Sequence, residues 1–188
     1  MRTIDKEEIV RLTEEYGGPW GINHTRRLLL LIAIIGKGQS YDADVVWVAA
    51  HLHDWGAYPK WMQAGVDHAL RSRQVAEAYL VEKGYPLELL PPTLECIEYH
   101  HGSDPHRRME ALLLSDADAL DFLGVVGVLR DFSKKPGELR KAYDVVQSRK
   151  EKLRRSICLE SSKAMAARRL EIMESLLGIF EEETFGCF

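Results

Sequence analysis

The stretch Val45-Val46-Trp47-Val48-Ala49-Ala50-His51-Leu52-His53-Asp54-Trp55-Gly56 decides how the chain is read. An apolar run long enough for a buried helix finishes on an adjacent imidazole and carboxylate. Gly56, two residues further on, is placed to end that helix in the left-handed conformation. Burying a charge is costly unless it is paired or binds a metal. Imidazole plus carboxylate is a common ligand set for zinc and transition metals. One His-Asp pair arises often by chance, so the rest of the chain has to supply further ligands.

A chain of 188 residues suits one domain of ordinary size or slightly more. Its apolar content of 46% is enough for a packed core. The formal net charge of -4 carries no polybasic signature of a nucleic-acid binder. Cys96, Cys158 and Cys187 lack the spacing of a metal knuckle and read as reduced thiols. Met1 to Glu8 has no apolar signal-peptide core, and the longest apolar run, Leu28 to Ile35, is too short to span a membrane. These features predict a cytoplasmic protein with neither a membrane nor a specific nucleic acid as partner.

Strict apolar/polar alternation persists nowhere, so the fold class expected is all-α. Thr3 is the expected N-cap of a first helix running to about Tyr16, and Gly17-Gly18-Pro19 breaks it. Asn23 is expected to cap a second, carrying His24, Arg27, Leu28 and Leu31 on one face. A third is predicted from about Asp42 to Asp54, ending on the opening motif. Residues 55–64, with Trp55 and Trp61, read as an irregular wall or lid. A fourth helix is predicted from about Asp67 to Lys83, and a fifth from about Pro92 to His100-His101-Gly102. The segment from Met109 reads as helical through about Phe132. Lys134-Lys135-Pro136-Gly137 is a linker, and two amphipathic patterns follow, about 138–155 and 161–182. The organisation expected is a metal-binding helical domain over 1–134 and a helical extension over 135–188, packed on that domain or on another subunit of a homo-oligomer. The basic run 149–155 reads as an exposed helix face.

Imidazoles and carboxylates fall at helix ends or on otherwise apolar helices: His24, His53-Asp54, His68, His100-His101, Asp116 and Asp118. Bundles build metal sites in their cores from facing helices. Arg27, Lys60, Arg71 and Arg73 are candidates to clamp a phosphate. Trp55 and Trp61 either stack on a ring or fill the core. His51 and His106 read as structural or surface histidines. No Ser-His-Asp or Cys-His arrangement is apparent, and Gly36-x-Gly38 lacks the rest of a phosphate loop.

In this order the elements resemble the HD-domain superfamily of metal-dependent phosphohydrolases. His24-x-x-Arg27 resembles the family's first His element, and Leu52-His53-Asp54-Trp55-Gly56 its signature doublet. Ala117-Asp118-Ala119-Leu120-Asp121 is similar to its last element. The resemblance spans roughly residues 20 to 132 and leaves the C-terminal helices unexplained. It implies a compact all-α bundle and a divalent metal ion (Mn, Mg, Ni, Zn or Fe) held by His24, His53, Asp54 and Asp118, with Asp116 a neighbour. Metal-activated water would attack a small phosphate ester or anhydride, nucleotides being the usual family substrates. Asp54 with His100 or His101 would be catalytic, and His68, His100 and His101 would serve a second metal or the substrate. Two other functions fit the same residues: a di-iron oxygenase using the extra histidines, and a non-enzymatic sensor or binding module.

Overall fold

Three aspartates start three helices in the computed structural model, which describes residues 4–134 and 136–188. Asp5 accepts the amides of Glu7 and Glu8 at the head of α1 (Lys6–Ile35), and Asp42 those of Asp44 and Val45 at α2 (Ala43–Leu52). Asp67 accepts the amides of Ala69 and Leu70 at α3 (His68–Glu82). Prolines occupy the first turn of α4 (Leu90–Glu98), where the missing amide costs nothing. Then follow α5 (Met109–Phe122), α6 (Val125–Lys134), α7 (Leu139–Ser156) and α8 (Glu160–Glu183). No strand occurs among the described residues.

Several local expectations are corrected. Thr3 lies outside the described residues. Gly18, at φ 63° and ψ -169°, interrupts α1, but the helix resumes at once, with Pro19 supplying a pre-set φ. Asn23 therefore sits inside a helix and its side chain accepts from Arg26 rather than capping. Gly56 is not left-handed: the chain continues into a 3₁₀ turn, Trp55–Ala57. Glycine is required there for close approach instead, since a Cβ would lie 2.3 Å from the Ser72 amide nitrogen. The helix from Met109 stops at Phe122, turns through Gly124 at φ 94°, and restarts as α6 in a new direction.

The apolar face of α2 is sealed, with Val45, Val46, Val48, Ala49, Ala50 and Leu52 at most 2% exposed. Helices α1, α4 and α5 pack around it. The 55–64 segment is not a lid. Trp55 is buried, donates to Thr13 Oγ1 and stacks on Trp61 at 4.6 Å between ring centroids. Both Trp side chains thus belong to the packing of this segment on α1 and α3. From α8, Ala166, Met173 and Leu177 enter the same core as Leu120 and Leu123. Among the described residues, no helix is long and apolar enough to cross a membrane.

His51 sits on the far side of α2 from the site, against the Trp47 ring, with Nδ1 on the Trp47 carbonyl at 2.8 Å. Burial pushes its pKa from 6.5 down to about 4. The unfolded chain takes up the proton first as pH falls. The stability that neutral His51 contributes is therefore present above pH 6.5 and lost on approach to pH 4. The full loss is about 3 kcal/mol. In chelator, urea midpoints of wild type should fall more steeply between those limits than those of His51→Gln. Parallel profiles would contradict this reading.

Candidate metal centre

Helix α5 is buried along nearly its whole length, yet beyond Glu110 in its first turn it carries three buried carboxylates: Asp116, Asp118 and Asp121, each at most 2% exposed. Each has its own partners, as burial of charge demands. Asp116 turns towards the C-terminal extension, where its oxygens accept the Cys158 and Leu159 amides at 2.9 and 2.8 Å. Asp118, two residues on, points the other way, to His24 and His101. Asp121, one turn beyond Asp118, accepts from His24 Nδ1 at 2.7 Å and from Arg27 through two bonds. Helical geometry thus separates Asp116 from Asp118, which spacing alone left close.

Opposite α5 stand the end of α2 and the turn after it. His53 Nδ1 bonds the Ala50 carbonyl at 2.9 Å, and His100 Nδ1 bonds the Ile97 carbonyl at 2.6 Å. A carbonyl only accepts, so each Nδ1 carries the proton and each Nε2 presents a lone pair. His24 is held likewise by Asp121. Fixing one ring nitrogen on a carboxylate or carbonyl is how metal-ligating imidazoles are oriented. The freed nitrogens converge. His24 Nε2 lies 3.3 Å from His53 Nε2, 3.2 Å from Asp118 Oδ1 and 3.9 Å from Asp54 Oδ2. His100 Nε2 is buried with no hydrogen-bond partner. A buried orphan acceptor at His100, the His53 Nε2 lone pair and a His24 Nε2 whose proton a metal would displace fit a cation and nothing apolar.

The ligand atoms form three overlapping groups, each within 4.8 Å: His24, His53 and Asp118; His53, Asp54 and His100; and His68, His100 and His101. These overlapping groups could hold a metal ion, and Asp54 lies between His53 and His68. Its Oδ2 is 3.6 Å from His53 Nε2 and its Oδ1 is 3.9 Å from His68 Nε2. The protonation of the cluster follows from its charges. Burial pushes His100 down to about 3. Burial also works against a charge on His24, but Asp118 and Asp121 outweigh it and raise the group to about 9. Burial opposes ionisation of Asp118 too, and hydrogen bonds from His101 and His24 hold its carboxyl well below the usual range.

A cavity of about 290 Å³ opens beside this cluster, lined by Asp54, His68, His100, His101 and Asp118 on one wall. Its other wall carries Arg130 and Lys134 from α6, and Arg149 and Lys152 from α7. None of the four cations expected from sequence lines it. Arg27 is taken by Asp121, and Lys60 lies over the Tyr16 ring. Arg71 donates to the Trp61 carbonyl and Arg73 pairs with Glu98. The basic run 149–155 is likewise more than a solvated face, because half-buried Arg149 and exposed Lys152 line this cavity. Sequence reasoning also missed Asp121. A signal was present: a carboxylate one helical turn after a candidate ligand shares its face.

Asp121 positions His24 rather than touching a metal itself. Asp121→Asn should weaken metal binding about 10- to 100-fold while the ligand set stays whole. A competition titration against a chromophoric chelator measures it. Unchanged affinity would mean that Asp121 does not hold the ring.

The family model described as HD domain matches residues 21–123. The chain belongs to the HD-domain family. Among solved structures it is similar to a predicted HD superfamily hydrolase of an uncultured Thermotogales bacterium, at 23% identity over 95% of this chain and 92% of that one, TM-score 0.67. It is also similar to YpgQ of Bacillus subtilis, solved in complex with ADP, at 21% identity over 94% and 93% of the two chains, TM-score 0.72. A Lactobacillus plantarum protein matches at 17% identity over 98% of this chain and all (100%) of that one, TM-score 0.74. At these identities the likeness establishes a common fold. No protein of curated function matches the chain. The HD-domain match contains every residue of the three ligand groups and ends before Arg130, Lys134, Arg149 and Lys152. The HD-domain elements hold the metal-capable wall of the cavity, and the helices after them hold the cationic wall.

Proposed function

We propose that the chain is a metal-dependent phosphohydrolase acting on a small phosphate ester or anhydride, with a nucleotide as the substrate. The HD-domain fold supports a metal-dependent phosphohydrolase in general terms. The observation that carries the reading here is the convergence of oriented Nε2 lone pairs and two carboxylates on a cavity whose far wall is cationic. His24, His53, Asp54 and Asp118 would hold a divalent ion. When bound, such an ion lowers the pKa of water and screens phosphate charge. With its Nδ1 proton on the Ile97 carbonyl, neutral His100 presents an Nε2 lone pair, which supports a ligand role for a second ion over the alternative role of phosphate donor. His101 faces Asp118 through Nδ1 and His68 through Nε2 at 2.7 Å, so it carries a proton at the cavity edge. In the hydrolysis, a water oxygen bonds to phosphorus, the bond from phosphorus to the leaving oxygen breaks, and a proton ends on that oxygen. The nucleotide assignment draws on the ADP complex of the structurally similar YpgQ. Protein loaded with Mn²⁺ should release phosphate or pyrophosphate from members of a panel of nucleotides and simple esters, and a chelator should stop it. Absence of turnover by fully metallated protein would overturn the proposal.

A second reading has its own observation. His68, His100 and His101 form a three-imidazole group across Asp54 from the first. Asp54 with these histidines would hold a second iron beside the first, and such a pair would supply dioxygen activation. Anaerobic purification with iron analysis and ultraviolet-visible spectra separates the two: mixed-valent iron favours the oxygenase, and hydrolysis with Mn²⁺ alone disfavours it.

A further inference from the structure

The cationic wall carries more charge than a phosphate monoester calls for. Asp131 takes Arg149 and lies 3.6 Å from Lys134. Arg130 and Lys152 have no carboxylate partner within ion-pair distance among the described residues. Arg130 is held by rings instead: its guanidinium carbon lies 4.2 Å from the Trp20 centroid and 4.3 Å from that of Phe122. Such stacking fixes the plane of a guanidinium and leaves its in-plane donors free. Half-buried beside Asp54 and Asp118, those donors lack an acceptor in the protein. Lys152 stands exposed at the same cavity, one turn along α7 from Arg149.

A cation held by His24, His53, Asp54 and Asp118 would already offset the charge of the phosphoryl group under attack. A monoester presents nothing more, whereas each further phosphate in an anhydride chain adds a negative charge at a distance from the first. We propose that α6 and α7 form the binding wall for a phosphoanhydride chain, with Arg130 and Lys152 holding the phosphates that are not attacked. The substrate is then a di- or triphosphate rather than a monophosphate ester. This rests on the hydrolase reading and adds the substrate class and the two residues that select it. The cavity, about 290 Å³, is at the small end for a ligand pocket, so it takes the phosphate chain and leaves any organic group at its mouth.

The test uses the full chain loaded with Mn²⁺ and compares AMP, p-nitrophenyl phosphate, ADP, ATP and inorganic tripolyphosphate. ADP, ATP or tripolyphosphate should exceed both monoesters in kcat/KM by at least about 100-fold, as two charge-assisted hydrogen bonds would give. Equal rates for ATP and tripolyphosphate identify the bare chain as the ligand; a preference for ATP identifies a nucleotide. Arg130→Gln and Lys152→Gln should each raise KM for the preferred anhydride about 10- to 100-fold with metal content unchanged. Lys163→Gln, which does not line the cavity and pairs with Glu160, should not. Should Arg130→Gln fail to fold, the exposed Lys152 still decides the matter. Monoesters turned over as well as anhydrides, or an unmoved KM in Lys152→Gln, would overturn this inference and leave the hydrolase reading standing. If no compound is hydrolysed, the hydrolase reading fails, and calorimetry of tripolyphosphate with the metallated protein then judges the wall. Binding lost in Lys152→Gln supports it, and no binding overturns it.

Discussion

Asp54→Ala is expected to leave the protein without its metal and without turnover, with its helical circular dichroism kept. The Asp54 side chain starts the 3₁₀ turn without capping it, and the imidazoles of His24, His53 and His68 stand 3.6 to 3.9 Å from it. These are separations too long for hydrogen bonds and suited to an ion between them. A half-buried carboxylate with no structural bond is by itself a poor contributor to stability. Its removal therefore costs function rather than fold. Metal at 100 times its dissociation constant should stabilise wild type by about 2.7 kcal/mol. The variant should show no such shift in its melting temperature, and hydrolysis should fall to background. A fully metallated, active Asp54→Ala protein would remove Asp54 from the site.

Asp118→Ala and Asp116→Ala should fail in opposite ways. Asp118 contacts His24 and His101, so its loss should empty the site. Asp116 accepts two amides at the turn between α7 and α8. Its loss leaves those donors unpaired, at a cost of about 1 to 3 kcal/mol each if they stay dry. Asp116→Ala should thus bind metal but melt earlier. The cationic wall depends on α7, so its anhydride KM should also rise. Metal content and melting curves of the two variants, measured together, give the ranking. The reverse ranking would place the ligand two residues away.

The metal-capable wall was legible because its chemistry resides in rare residue types. His24, His53, Asp54 and Asp118 stand out on helices that are otherwise apolar, and their order resembles a family pattern. Asp42 and Asp67 marked the starts of helices by the same local logic. The cationic wall was not legible. The chain has 25 Lys and Arg, and the candidates Arg27, Lys60, Arg71 and Arg73 each have another partner in the fold. Arg130 owes its place to the turn at Gly124, which redirects α6, and Lys152 to the packing of α7 against α5 and α6. Those are tertiary facts without a local signature. Gly56 teaches a similar lesson: its position at the end of a helix was plain, but its reason, the backbone of α3 lying against it, belongs to packing.

The central claim is that His24, His53, Asp54 and Asp118 enclose a cation. Anomalous diffraction at the manganese edge, from crystals grown with Mn²⁺, tests it most directly. The account predicts a strong peak bonded to His24 Nε2, His53 Nε2, Asp54 and Asp118, with a second peak, if present, beside His68 and His100. Anomalous density at another place, with these four residues bare in an active protein, would contradict it.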